Sequence, residues 1–241
     1  MKLVAIGDSY TINGSWPDLL AEKLDMECIN FGGDGSGNQF IISKVLDTLL
    51  LEDVGLVVVQ WSEWQRLDFE HHPKRNKGWT SLHPHRDNSR VEKYPMSLEG
   101  RWTMMEYSNF VASTMLSLRL FVIAQKLLKD IPHLMMQGPY PLIQPQYDMG
   151  RAESYKWNYS EEMKKVYSNC LDHKLMNQIE EDTFIGWPII GMGGYSMDGL
   201  LDENDSTRQK YRQGNNNSTP NDAGNEMISK DIYKVYKKVY G

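Results

Sequence analysis

The sequence predicts an α/β fold, a three-layer doubly wound domain with a mainly parallel sheet of about five strands. Three observations lead there. Short apolar runs at residues 3–6, 26–30 and 54–60 alternate with segments that carry helical spacing. The third run is unbroken in its apolar character from 54 to 59, as expected of a strand covered on both faces. Each run ends in a segment rich in glycine or polar residues, and ligands of open α/β sheets bind at such strand ends.

Each element has its own local reason. Residues 3–6 are apolar and run into Gly7-Asp8-Ser9, a strand followed by a tight turn. Ser15, Trp16 and Pro17 then open a helix. Ser15 is its expected cap, Pro17 suits the first turn, and Leu19, Leu20 and Leu24 mark the buried side. After the second strand, Gly32-Gly33-Asp34-Gly35-Ser36-Gly37 exposes its backbone. A second helix is expected over 40–50, with Ile41, Ile42, Val45, Leu46, Leu49 and Leu50 inward. The third strand over 54–60 completes a β-α-β-α-β order, which right-handed crossovers turn into a parallel sheet.

Residues 65–104 interrupt this rhythm as a long polar insertion into a single domain spanning 1–241. A long helix is expected over 107–129, a fourth strand over 134–137 and a loop over 140–158. A further helix follows over 160–176 and a fifth strand over 184–190. A second polar stretch covers 191–219. The last helix starts near Pro220 or Asn221, with Met227, Ile228, Ile232, Val235 and Tyr236 facing a core.

Composition narrows the function classes. Hydrophobic residues are 40% and charged residues 24%, which suits a packed globular domain. A formal net charge of −6 gives no overall field that draws nucleic acid. No apolar stretch approaches the ~20 residues of a membrane span, and no signal peptide is expected. The expected setting on these grounds is cytoplasmic. The two cysteines, Cys28 and Cys170, read as free thiols. Without a CxxC or HExxH pattern, no metal or other cofactor is expected. His71, His72, His83 and His85 read as solvated loop residues before they read as ligands. The glycine loop lacks both GxGxxG spacing and a following GK[ST], which argues against a nucleotide site.

Gly7-Asp8-Ser9 at a strand end, Asn30-x-Gly32-x-x-Gly35 after the second strand, and Pro220-Asn221-x-x-Gly224 at the final helix occur in one order across nearly the whole chain. Together they resemble the conserved blocks of SGNH (GDSL-like) hydrolases. Trp61-Ser62-Glu63-Trp64-Gln65-Arg66 is more loosely similar to the third-strand segment of SGNH-like proteins of tailed bacteriophages, which implies a virion-associated setting as the alternative to a cytoplasmic one. The resemblance implies a serine esterase, lipase or carbohydrate O-acetyl esterase. Ser9 would be the nucleophile, and the N–H groups of Ser9 and Gly35 would hold the oxyanion. The placement is physically sensible. Backbone N–H groups beside the serine favour developing negative charge, and Gly35 leaves room for a substrate oxygen.

The chain also departs from that pattern. The family's Asp-x-x-His-Pro block falls on Asn216-Asn217-Ser218-Thr219-Pro220, so Asn216 and Thr219 occupy the positions of the orienting carboxylate and the general base. A threonine accepts no proton near neutral pH, and a serine hydroxyl needs a base to become a nucleophile. By register Glu63 takes the place of the oxyanion-donating Asn, and an ionised carboxylate accepts hydrogen bonds instead of donating them. Three readings stay open. The chain cleaves a carboxylic ester, such as an acylated glycan, with a substitute base such as His83 or His85. It is a catalytically silent glycan-binding or phage structural module. Or residues were replaced to trap an inactive form. Trp61, Trp64, Trp79 and Trp102 lie at or after the third strand, where aromatic faces could stack on sugar. Nothing in the sequence sets an oligomeric state.

Overall fold

A computed structural model describes residues 1–64, 66–70, 78–82, 110–139, 168–170, 172–188, 193–205, 209–214 and 217–241. Its centre is a five-stranded parallel sheet built from β1 (Lys2–Gly7), β2 (Glu27–Gly32), β3 (Val54–Trp61), β6 (His133–Gln137) and β7 (Phe184–Ile185). Its order is β2-β1-β3-β6-β7, with every neighbour pair parallel. The order reverses direction at β1, between β2 and β3. That is the switch point at which an open α/β sheet leaves a crevice beyond its carboxyl ends.

Alternation along each strand feeds two apolar layers. Val4, Ile6, Val57, Val59 and Met135 face a core shared with α3 (Asn38–Thr48) and α4 (Phe110–Leu127). Leu3, Ala5, Leu56, Val58 and Met136 face the other core, shared with α2 (Trp16–Leu24), α5 (Met197–Glu203) and α6 (Asp222–Tyr240). All ten of these strand residues are fully buried, so β1 and β3 are apolar at successive positions. This is the three-layer, doubly wound architecture the sequence predicts.

Several boundaries differ from the sequence reading. Ser15 precedes α2 but makes no side-chain cap. α3 begins two residues before the expected start and ends at Thr48, leaving Leu49 and Leu50 exposed beyond it. The expected helix over 160–176 does not reach its end: residues 176–178 form a 3-10 turn, and the part before 168 lies outside the described residues. The fifth strand stops at Ile185, where Gly186 adopts a positive φ of 75° and turns the chain.

The two polar stretches are more ordered than their composition suggests. The insertion holds an antiparallel pair, β4 (Leu67–Glu70) with β5 (Trp79–Leu82). The second stretch holds α5 and the pair β8 (Arg212–Gly214) with β9 (Asn217–Pro220). A four-residue helix, α1 (Ser9–Ile12), also follows β1 directly. Among the described residues no helix is long and apolar enough to cross a membrane.

Candidate active site

The end of β1 is held on several sides. Asp8 accepts from the Tyr10 N–H through Oδ1 at 2.9 Å, and its carbonyl accepts from Thr11 and Ile12 at 3.0 and 3.1 Å. Its own N–H donates to Gln60 Oε1 at 2.9 Å, which also accepts from the Thr11 hydroxyl at 2.9 Å. A Cβ at Gly7 would sit 2.2 Å from Thr11 Oγ1 and 2.3 Å from Gln60 Oε1, so only glycine fits beneath the turn. Ser9 is thereby fixed as the first residue of α1 and is half-buried. Tyr10 and Thr11 point inward and are buried.

The glycine turn is fastened to the same place. The Gly33 N–H donates to the Gly7 carbonyl at 2.9 Å, and Asn30 Nδ2 donates to the Thr11 carbonyl at 2.9 Å. A Cβ at Gly32 would lie 2.5 Å from the Ile12 nitrogen, so β2 and α1 touch backbone to backbone. Gly35 has φ 69°, a conformation side chains disfavour, and is half-buried. Gly37 caps α3 without a side chain of its own. Asp68 of β4 supplies the missing acceptor, taking the Gly37 N–H at 2.8 Å and the Phe40 N–H at 2.9 Å. The insertion thus braces the helix that follows the glycine turn.

Behind both turns lies a charged cluster that sequence reasoning missed. The Ser62 hydroxyl donates to Asp8 Oδ2 at 2.6 Å, and the Ser62 N–H donates to Asn38 Oδ1 at 2.9 Å. Arg66 donates through Nε to Glu63 Oε2 at 2.8 Å and through Nη1 to the Ser36 carbonyl at 3.1 Å. Nη1 also lies 3.7 Å from Asp8 Oδ2. Burial pushes the Asp8 carboxyl above its usual range, against the pull of Arg66, Ser62 and the Tyr10 amide. Burial works against the Arg66 charge, but Glu63 and Asp8 more than offset it and hold the guanidinium charged. The Glu63 carboxylate faces this guanidinium. Only pairwise proximity in the fold could have revealed the cluster, since Asp8 and Ser62 are 54 positions apart.

The closing hairpin reaches the same rim. β9 packs against α1, and Thr219 on β9 is buried. Asn216 lies outside the described residues. A buried network pins the hairpin. The Tyr10 hydroxyl donates to Asp198 Oδ1 at 2.8 Å, and Arg212 Nη1 meets the same oxygen at 2.7 Å. Arg212 Nη2 bonds Asp202 Oδ1 at 2.6 Å. α1, α5 and β8 are thus joined beside Ser9. α6 follows at once, with the Asn221 side chain accepting from the Gly224 N–H at 3.0 Å.

The described histidines are committed elsewhere. His133 Nδ1 bonds the Ile131 carbonyl at 2.9 Å at the far end of β6, and His173 Nδ1 accepts from the Leu175 N–H at 3.1 Å. His71, His72, His83 and His85 lie outside the described residues. Among the described residues no group of three His, Cys, Asp or Glu is placed to hold a metal. The idea of tryptophans open to sugar needs correcting for two of them. Trp61 and Trp64 are 0% and 2% exposed, packed on Phe121, because the core under α4 needs their bulk. Trp79 meets Phe40 edge-on, and Trp102 lies outside the described residues.

No family model matches the sequence, and no curated protein matches it. Solved structures do. One is a member of the lipolytic protein G-D-S-L family from Veillonella parvula DSM 2008, 12% identical, covering 99% of this chain and 100% of that one, with a TM-score of 0.49. Another is an acetyl xylan esterase, 13% identical over 97% of this chain and 98% of that one, with a TM-score of 0.49. A third is a GDSL-like lipase from Bacteroides thetaiotaomicron VPI-5482, 11% identical over 98% of this chain and 88% of that one, with a TM-score of 0.45. Likenesses at this level of identity concern the fold and assign no residue role or substrate.

Proposed function

We propose that this SGNH-type fold carries an atypical serine esterase site that acts on a carboxylic ester, with an O-acyl group on a carbohydrate as the favoured substrate class. What supports the reading is the convergence of three distant segments. The Ser9 turn, the glycine turn and β9 meet at one rim of the sheet, joined by the Gly33–Gly7 hydrogen bond and by the packing of α1 on β9.

In this reading the Ser9 hydroxyl attacks the ester carbonyl, and its proton passes to a base. The carbonyl oxygen takes the negative charge and accepts from the Ser9 and Gly35 N–H groups. The intermediate collapses as the alcohol leaves with a proton, and water then releases the acid by the same route. His133 starts β6 at the end of the parallel sheet opposite Ser9 and cannot serve, and His173 Nδ1 already accepts from the Leu175 N–H. His83 and His85 are the proposed acceptors.

A second reading is favoured by one observation. Thr219 stands on β9 beside α1, where the resemblance puts a histidine, and a threonine hydroxyl is no base at neutral pH. The chain would then be a catalytically silent glycan-binding or phage structural module. Hydrolysis of p-nitrophenyl acetate by the native chain and by Ser9→Ala separates the two. The esterase reading expects Ser9→Ala to lower kcat/KM by roughly a hundredfold or more. Equal rates, with retained binding on a glycan array, would leave the module.

A further inference from the structure

We propose that Arg66 is a positioning residue of the Ser9 site, tying the Ser9 turn to the glycine turn through one guanidinium and neutralising the carboxylates behind them. The inference rests on the reading of Ser9 and Gly35 given above. Arg66 Nη1 donates to the carbonyl of Ser36, the neighbour of Gly35, and lies 3.7 Å from the carboxylate of Asp8, the neighbour of Ser9. Its Nε is bound to Glu63 at 2.8 Å. One planar group therefore touches the residues adjacent to both oxyanion donors.

Charge makes the tie specific. Asp8 is fully buried and Glu63 is 5% exposed, so neither is well screened by water. The charged groups that act on Arg66 are Asp8, Glu63 and Asp68. Without a cation among them, this acidic wall would repel an oxyanion forming at the Ser9 and Gly35 amides. Lysine would keep the charge but lose the fork that reaches Glu63 and Ser36 together.

The test uses the full-length chain with Arg66→Ala, Arg66→Lys and the double variant Arg66→Ala/Glu63→Gln, with Ser9→Ala as reference. Two readouts are taken. One is p-nitrophenyl acetate hydrolysis. The other is hydrogen exchange at the Gly33, Ser36 and Gly37 amides, each of which has an acceptor in the fold.

Exchange at these amides should quicken roughly tenfold or more in Arg66→Ala. The Ser9-dependent kcat should fall roughly a hundredfold, with KM little changed. Removing the Glu63 charge as well should restore roughly tenfold of that loss, and Arg66→Lys should lie between Arg66→Ala and the native chain. Unchanged exchange in Arg66→Ala would overturn the tie. A double variant no faster than Arg66→Ala would overturn the charge role. Should Arg66→Ala fail to fold, Arg66→Lys and the double variant carry the same comparisons. If the native chain shows no Ser9-dependent rate, the esterase reading falls on its own, and the exchange readout still decides whether Arg66 holds the two turns together.

Discussion

Replacing Arg212 with methionine tests the pin that holds the closing hairpin beside Ser9. Arg212 is 4% exposed and Asp198 3% exposed, and their ion pair is 2.7 Å long. Methionine keeps much of the stem's packing but strips Asp198 and Asp202 of the guanidinium. Breaking a buried pair on one side costs about 3–5 kcal/mol. For a chain of this size each kcal/mol lowers Tm by about 2–4 °C, so the fall should be roughly 6–20 °C. Tyr10→Phe removes one hydrogen bond to the same Asp198 oxygen and should cost about 1.5–3 kcal/mol. Because both partners share Oδ1, the two changes should not add, and a coupling of about 0.5–3 kcal/mol is expected in the double variant. Asp198→Asn combined with Arg212→Met should cost less than Arg212→Met alone, since no unpaired charge remains at 198. Urea unfolding followed by calorimetry measures all four chains. A loss below about 1 kcal/mol for Arg212→Met would refute the reasoning, for it would mean the pair is worth no more than an exposed one.

Three further outcomes are expected. Asp68→Ala removes the acceptor for the Gly37 and Phe40 amides and should destabilise the chain by about 0.5–2 kcal/mol in urea unfolding. Gln60→Met leaves the Asp8 N–H without its acceptor and should cost about 1–3 kcal/mol by the same measurement. Burial pushes the Cys28 and Cys170 thiols up to about 12 from 9.0. Near pH 8 their reactive thiolates should therefore be roughly a thousandfold scarcer in the folded chain than in urea, and iodoacetamide should label them far more slowly until unfolding. The folded-state values lie above the unfolded one, so the ratio holds as pH rises toward 9.0 and then shrinks roughly tenfold per pH unit on the way to the folded value.

The sheet was legible because residues 3–6 of β1 and 56–59 of β3 are apolar at successive positions, a pattern that a strand buried on both faces needs. α1 was not, because Ser9–Ile12 is too short to show a period. The β8–β9 pair hid in a polar stretch, since its main anchor is the long-range contact of Arg212 with Asp198 and not an apolar run. α5 left a trace that could have been used. Ser196 accepts from the Gly199 N–H as an N-cap, and Asp198 follows in the first turn.

At the candidate site, Ser9 and Gly35 were reached through the family resemblance of the motifs at two strand ends. The cluster of Asp8, Ser62, Glu63 and Arg66 could not. It joins residues from two strand ends and the start of the insertion, and no local spacing announces that meeting. Asp8 makes the hydrogen bond expected of a turn residue, to the Tyr10 N–H, and also accepts from Ser62 at the neighbouring strand end.

The most direct test is to look for an acyl group on the Ser9 hydroxyl. The chain is mixed with p-nitrophenyl acetate, quenched in acid and digested, and the peptides are weighed by mass spectrometry. The account predicts an acetyl adduct that maps to Ser9 and vanishes in Ser9→Ala. An unmodified Ser9 peptide in a chain that still releases p-nitrophenol, or an adduct that survives Ser9→Ala, would contradict it.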